Sequence, residues 1–496
     1  MRLNKYYLEI AVFLCGAVVM IFELVGSRVL APYVGTSTFV WTNLIGVILG
    51  SLSLGYWWGG KIADRQATRQ RFSLIIFLAA LAIILMILVK DVLLKSLSNW
   101  ELNIEFVAFL SALILFSPAS IILGFISPYA VKLKINNLNT SGATVGNLYA
   151  LSTIGSIFGT FLAGYYLIPR FGTTRLLIII AVVLIFLAIS VSIKRLFKTK
   201  VAALFFLGIL LVLQMIVKES QAARGFIDVD TEYSRVFIYP GIDYKTKKPI
   251  LNLKTDPLGT QSGMFLENDT ELAFLYTKYY HLAEYFKADF EKTLIIGGAG
   301  YVFPRHFLKR YPSATIDVVE IDPQLTTLAK KYFRLVDDPR LKIYHADGRV
   351  FLNKNQAKYD VIFGDAFQGI LTVPYQLTTK EAIAKMYSSL NEGGVAIVNI
   401  VSAIEGSAGE FLRAEYATYK SIFPQVYLFP AQDMSGSRRQ NIILVALKSS
   451  QTPDFKSNDS EISQFLSHLW IKTVVEDKPI LTDDLAPVDY YARKML

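Results

Sequence analysis

Two glycine- and acid-bearing stretches are spaced for nucleoside chemistry. Thr293-Leu294-Ile295-Ile296 is an apolar run that ends in Gly297-Gly298-Ala299-Gly300, and further on Val318-Val319 leads into Glu320-Ile321-Asp322-Pro323. A buried strand entering a glycine turn lets backbone approach a ligand, and an acid at the tip of the next strand accepts hydrogen bonds from ribose hydroxyls. Glu320 and Asp322 are the ribose candidates; as plain structure they are solvated strand-end carboxylates. His345-Ala346-Asp347-Gly348-Arg349 closes a third run, where an acid–glycine pair either sets a carboxylate against an adenine amino group or makes a simple turn. Asp360-Val361-Ile362-Phe363-Gly364-Asp365-Ala366-Phe367-Gln368-Gly369 is the most chemical segment. Its apolar positions carry the chain to Asp365 at the C-terminal edge of a sheet, where ligands bind in open α/β folds. A carboxylate there can take a proton from an amine or orient it toward a cationic sulfonium carbon; the bland reading is a capping residue. A dinucleotide cradle prefers G-x-G-x-x-G, and counted from Gly298 the third glycine position is Phe303, which tilts against a nicotinamide cofactor.

The elements that hold these residues read as strand–helix alternation. Strands are expected at 293–296, 316–320, 341–345, 359–364, 394–400, 425–430 and 440–447, with helices over Pro304–Arg310, Pro323–Phe333 and Lys380–Leu390. Asn391-Glu392-Gly393-Gly394 reads as a turn. Ahead of this domain, Phe226–Val229, Ser234–Tyr239 and Pro249–Leu253 alternate like strands, with turns at Pro240-Gly241 and Asp243–Lys248. Glu271 to Phe290 reads as one helix whose Tyr276, Tyr279, Tyr280 and His281 either line a pocket or pack in a core.

The rest of the chain is of another kind. It has 496 residues, 53% of them hydrophobic and 18% charged, and the apolar ones concentrate before residue 219. Seven runs are long enough to cross a bilayer: roughly 8–31, 38–60, 73–94, 104–126, 143–168, 173–193 and 201–217. The first runs through Glu23 and Arg28 without a cleavage site, so it is not read as a signal peptide. Glu23 and Arg28 pair for structure, mark a substrate site, or (for Arg28) snorkel to the interface. Pro118 and Pro128 suggest a kinked or broken fourth span. Gly155-Ser156-Ile157-Phe158-Gly159 reads as a helix–helix contact. Gly59-Gly60-Lys61-Ile62-Ala63-Asp64-Arg65 resembles the loop after the second helix of major facilitator transporters. The net charge of +10 does not argue for nucleic acid, because many basic residues flank apolar segments. Their distribution favours a cytoplasmic N-terminus, and seven spans then put the C-terminal half outside, against the cytosolic location a nucleoside cofactor suggests. The single Cys15 excludes an intramolecular disulfide.

The ordered set IIGGAG, VVEIDP, HADGR, YDVIFGDAF and LNEGGV resembles the spermidine synthases, the polyamine aminopropyltransferases. The resemblance covers roughly 225–450, and the whole chain is similar to the membrane-fused members; Leu481-Thr482-Asp483-Asp484-Leu485-Ala486-Pro487-Val488 looks like that group's end. It implies a multi-span α-helical membrane domain (1–218), a small antiparallel β-domain (225–268) and an α/β methyltransferase-like Rossmann domain (269–496). It further implies decarboxylated S-adenosylmethionine, or S-adenosylmethionine, as co-substrate, an amine or other small-molecule acceptor, a lipid bilayer as partner, no metal and no nucleic acid. A homodimer stays open. By position, Gln261, Gly297, Gly298, Gly300, Glu320, Asp322, Asp347 and Gly348 would hold the nucleoside, Asp365 would be the catalytic acid/base, and Tyr276, Tyr280 and Gln368 would face the acceptor. The sequence departs from the family on the amine side: Gln368 stands where a second acid is usual, Ala299 where Asp is usual, and neither Tyr276-Thr277-Lys278 nor Tyr280-His281-Leu282 restores the usual Tyr-His-Glu. Methyl transfer, and a transporter or sensor that binds without turnover, therefore stand beside aminopropyl transfer.

Overall fold

A computed structural model describes residues 6–98, 103–135, 137–192, 197–255, 259–366 and 373–495. Contacts divide the chain into two units, Met1–Arg224 with Asp228–Arg235, and Gly225–Ile227 with Val236–Leu496.

The first unit holds seven helices long and apolar enough to cross a membrane: Tyr7–Val34, Thr38–Arg65, Arg69–Ser98, Ile104–Lys134, Ser141–Arg170, Thr173–Val191 and Phe197–Ala223. Each expected run overlaps one of them, and all but 173–193, which runs past Val191, lie wholly inside. Pro118 lies inside Ile104–Gly124, and the fourth span is interrupted at Phe125. Gly155 and Gly159 let Ser141–Arg170 lie directly on the first helix. A Cβ on Gly155 would come within 2.0 Å of the Phe13 carbonyl oxygen, and one on Gly159 within 2.4 Å of that of Ala17. The fifth span also contains a π-helical turn, Ala163–Leu167, that the sequence did not announce.

The two ends of this unit differ. At the N-terminal end Lys134 pairs with Glu9, and Lys132 with Asp64 at 2.8 Å. At the other end residues 228–235 are built into the bundle. The Arg28 guanidinium donates to the Thr231 carbonyl at 2.8 Å and to that of Glu232. Asp230 accepts from the Thr173 N–H at 3.1 Å, so it caps the N-terminus of Thr173–Val191 from a distant part of the chain. Arg235 and Asp228 form a two-point ion pair at 2.9 and 2.7 Å. Arg28 is thus engaged by backbone oxygens, and the expected pairing with Glu23 is not formed.

A four-stranded sheet follows in the order β1 (Ile227–Asp230), β2 (Arg235–Ile242), β3 (Pro249–Lys254), β4 (Ser262–Phe265). Pro240-Gly241 does not turn the chain; both pair within β2 against Leu251 and Ile250. β4 was missed, because four buried residues with a central glycine show no alternation.

The second unit is centred on a seven-stranded sheet made of β5 (Lys292–Ile296), β6 (Thr315–Glu320), β7 (Leu341–His345), β8 (Tyr359–Gly364), β9 (Leu390–Ser402), β10 (Gln425–Pro430) and β11 (Gln440–Leu447), in the order β10-β11-β9-β8-β5-β6-β7. β5 to β9 are parallel; β11 and β10 run antiparallel along the far edge. Parallel strands are covered on both faces and so read as continuous apolar runs, which is why these were legible. The Asn391–Gly394 turn is absorbed into β9 as an irregularity of register beside Tyr359/Val361, with Gly393 at φ 68°. β5 pairs with β6 on one side and β8 on the other, so the chain reverses direction across the sheet at β5. The crevice beyond the C-terminal ends of β5 and β8 is the topological switch point, where open α/β sheets bind ligands.

Candidate nucleoside and amine site

Gly297-Gly298-Ala299-Gly300 leaves β5 at this switch point. Gly297 has φ 105°, and a Cβ there would sit 2.2 Å from the Asp365 carbonyl oxygen, so glycine alone lets the β5 and β8 ends approach. Ala299 and Tyr301 also take positive φ, 43° and 55°, before the helix Val302–Arg310 begins. Gly300 donates to the Ser262 hydroxyl at 2.9 Å, which ties the loop to β4.

Glu320 ends β6 and is buried rather than solvated. One carboxylate oxygen accepts from the Gly298 and Ala299 N–H groups, both at 2.9 Å, and the other from Asp322 N–H at 2.9 Å. The acid therefore shapes the glycine loop from inside. Burial raises its pKa above the usual carboxylate value, with the three backbone donors opposing that rise. An ionised carboxylate has about four lone-pair positions, so Glu320 retains acceptor capacity.

Asp322 is fully buried and caps Pro323–Tyr332 through Gln324 N–H at 2.9 Å; its other oxygen has no hydrogen-bond partner among the described residues. Asp347 caps Gly348–Lys354, accepting from Arg349 and Val350 N–H at 2.8 and 3.0 Å, and its second oxygen meets Gln376 Nε2 at 3.2 Å. Gly348 is held close to β5: a Cβ would lie 2.7 Å from Ile296 Cγ2. Gln261 turns back on its own loop, accepting from Thr255 N–H at 2.6 Å.

Asp365 follows β8, anchored by its N–H on the Ile296 carbonyl at 2.9 Å. Its carboxylate accepts from Tyr276 hydroxyl at 3.3 Å on one oxygen and from Asn399 Nδ2 at 3.2 Å on the other. Enclosure pushes its pKa up to about 6, with the Asn399 and Tyr276 hydrogen bonds acting in the opposite direction. Tyr280 lies against this group, its ring packed on Phe303 and Phe363 at 4.9 and 5.2 Å and on Tyr276 at 6.0 Å. Burial, then the Asp365 charge, raises both phenols well above their usual value, so they stay neutral donors.

Of the expected helix over Glu271–Phe290, the contiguous pieces Leu275–Lys278, Tyr279–Leu282 and Ala283–Phe286 are helical, the middle one a 3-10 turn. Leu272 forms a β-bridge with Met264, which draws the first residues out of helical geometry. Tyr276 and Tyr280 come to Asp365, whereas Tyr279 packs on Phe465 at 4.4 Å and His281 on His306. Gln368 lies outside the described residues.

Asn399 was missed. Its amide oxygen accepts from Asn441 Nδ2 at 2.9 Å, so two side chains from adjacent strands fix the orientation of the amide that donates to Asp365. The signal was in the sequence: a buried polar residue within the apolar run Val395–Ile400 needs a partner.

The sheet order, the glycine turn at the switch point and the carboxylates on successive strand ends define a Rossmann-like α/β domain. Residues 274–429 match the model of the spermine/spermidine synthase domain. The C-terminal part of the chain therefore carries a spermine/spermidine synthase domain, the domain of the polyamine aminopropyltransferase family, and the N-terminal part holds seven long apolar helices. A polyamine aminopropyltransferase of Vibrio vulnificus (strain CMCP6) is 32% identical over 164 residues, 32% of this chain and 53% of that protein. Polyamine aminopropyltransferase 2 of Aquifex aeolicus (strain VF5) is 22% identical over 403 residues, 79% of this chain and 78% of that one. A crystal structure of a probable spermidine synthase from Corynebacterium glutamicum ATCC 13032 aligns with 25% identity and a TM-score of 0.41, covering 48% of this chain and 84% of that one. The chain spans about half the length of the first curated relatives it matches.

Proposed function

We propose that residues 269–496 transfer an aminopropyl group from decarboxylated S-adenosylmethionine to an amine. The observation that carries this reading is the Asp365 carboxylate, held by two neutral donors at the switch point beside the glycine loop. The residues fit an S-adenosyl nucleoside: the Asp322 oxygen without a partner and the acceptor capacity of Glu320 both lie next to the Gly297–Gly300 cradle.

In this reading Glu320 and Asp322 bind ribose hydroxyls, and Asp347 with Gly348 borders the adenine. Gln261 borders the co-substrate from the β3–β4 side. The co-substrate supplies an electrophilic carbon on a sulfonium. Asp365 accepts a hydrogen bond from the acceptor amine, aims its lone pair and takes the proton it sheds. The new bond is N–C, the bond broken is C–S, and sulfur leaves as a neutral thioether. Tyr276 and Asn399 hold the carboxylate ionised and oriented, and Tyr280 supports Tyr276.

The test is ligand stabilisation of the full chain. A ligand at 100 times its dissociation constant adds about 2.7 kcal/mol of apparent stability. Decarboxylated S-adenosylmethionine should raise the melting temperature more than S-adenosylmethionine does; the reverse order favours methyl transfer, and no shift with either sinks both. D365N should keep the shift and lose turnover by about 100-fold or more. A domain that only binds would have no turnover to lose.

A further inference from the structure

The protein has four histidines, and two of them belong to a string of hydrogen bonds outside the site described above. His306 Nδ1 lies 2.7 Å from the Thr270 carbonyl oxygen, and His306 Nε2 lies 2.9 Å from His281 Nε2. His281 Nδ1 in turn lies 3.1 Å from a carboxylate oxygen of Glu461. The string joins the helix Val302–Arg310, the 3-10 piece Tyr279–Leu282 and the helix Ser460–Leu466. His281 is buried, so water has little access to its ring.

What each atom can do fixes the proton count. A carbonyl only accepts, so His306 Nδ1 carries a proton. One proton, and only one, fits between the two Nε2 atoms. With both rings neutral it belongs to His281, which leaves His281 Nδ1 bare. A bare nitrogen facing an ionised carboxylate sets lone pair against lone pair, which is no hydrogen bond. Closing that last contact takes a further proton, on Glu461 or on one of the rings. Neutral rings and an ionised carboxylate supply two protons; the three contacts need three.

The surroundings favour one place for the third proton. Burial, helped by Arg310, His306 and Lys278, lowers the His281 pKa to about 3. Burial also lowers that of His306; Arg310 and Lys309 add to this, while the Thr270 carbonyl and Glu284 oppose it. Burial raises that of Glu461, with Asp459 and Glu284 adding and Arg310 and Lys278 opposing. All three directions favour a protonated Glu461 that donates to His281 Nδ1.

The string ties together the aromatic wall beside the acid. Tyr280, next to His281, packs on Phe303 at 4.9 Å, and Phe303 lies about one helical turn from His306. The two elements joined by the histidine pair are thus the two that bring Tyr280 and Phe303 together, with Tyr280 close enough to Asp365 to feel its charge.

We propose that His306, His281 and Glu461 form a latch that holds one extra proton and positions Tyr280 beside Asp365, closed with that proton and open without it. The proton is present on the acid side; raising the pH removes it, and the His281–Glu461 contact turns repulsive. The latch does not rest on the transfer reaction above; only its effect on turnover does.

Isotope-labelled histidine in the full chain, followed by solid-state NMR in lipid, tests it, because protonated and bare ring nitrogens resonate far apart. Replacing each histidine in turn assigns the rings. Between about pH 5 and 8, His306 Nδ1 should stay protonated, and the His281 Nδ1 resonance should shift in one step as the extra proton leaves. In E461Q the amide donates the same hydrogen bond without titrating, so that step should vanish; E461A should leave Nδ1 bare throughout. A step unmoved in E461Q, or no step in the unaltered chain, overturns the proposal. On the transfer reading, kcat/KM should fall severalfold on the alkaline side of the step, and E461Q should remove that fall. An inactive chain that still shows the step refutes the transfer reading alone; an active chain without the step refutes the latch alone.

Discussion

At the scale of single residues, the site depends on one carboxylate whose environment is almost wholly neutral. Asp365 titrates near 6, so its proton-accepting form is lost as pH falls through that value. The acid limb of the kcat/KM profile should therefore lie near pH 6, with about a tenfold loss per unit below it. Asn399 favours the ionised form by donating to it, and removing that donor must raise the pKa. N399A should thus move the limb to higher pH while the co-substrate still raises the melting temperature; a limb that stays in place would show that Asn399 only packs. On the donor side, Glu320 and Asp347 were legible as acids at strand tips. Their backbone partners were not, since a loop amide leaves no mark in the sequence. The acceptor side was less legible still: Tyr276 and Tyr280, four residues apart on one helical face, turn to Asp365, but spacing alone did not separate them from Tyr279 and His281, which pack elsewhere.

Among the elements, the β5–loop–helix junction is the most constrained. Gly297 meets two independent limits, φ of 105° and a carbonyl 2.2 Å from the Cβ position. Each positive-φ violation costs on the order of 1–3 kcal/mol, so G297A should lower the melting temperature measurably and also loosen co-substrate binding. G406A, at φ 68° with open space around it, is the control: it carries the backbone cost without the clash, so it should destabilise less and leave co-substrate binding intact. Glycine loops and apolar strands were readable because only a few residue types satisfy them. β4 and the 3-10 piece Tyr279–Leu282 were not, because tertiary contacts rather than local preference give them their form.

For the molecule as a whole, an odd number of spans carries a topological consequence. In a Cys15→Ala background, cysteines placed at Lys61 and at Glu232 should react with an impermeant maleimide from opposite faces of sealed vesicles. Labelling from the same face would remove one of the seven spans. Comparing each with a cytoplasmic marker then decides between the charge distribution, which puts residue 61 inside, and the expectation of a cytosolic co-substrate.

The clasp formed by Arg28, Asp230 and Arg235 means that the seam in the sequence is not the seam in the fold. Residues 228–235 follow the last long helix, yet they count as part of the bundle. Cutting the chain after Arg224 to free the catalytic half would strip Thr173–Val191 of its cap and leave Arg28 without its two carbonyls. A separation that respects the bundle falls between Arg235 and Val236 and sacrifices β1. The end of the last long helix is therefore not a clean joint: residues 228–235, which come after it in the chain, go with the bundle before it.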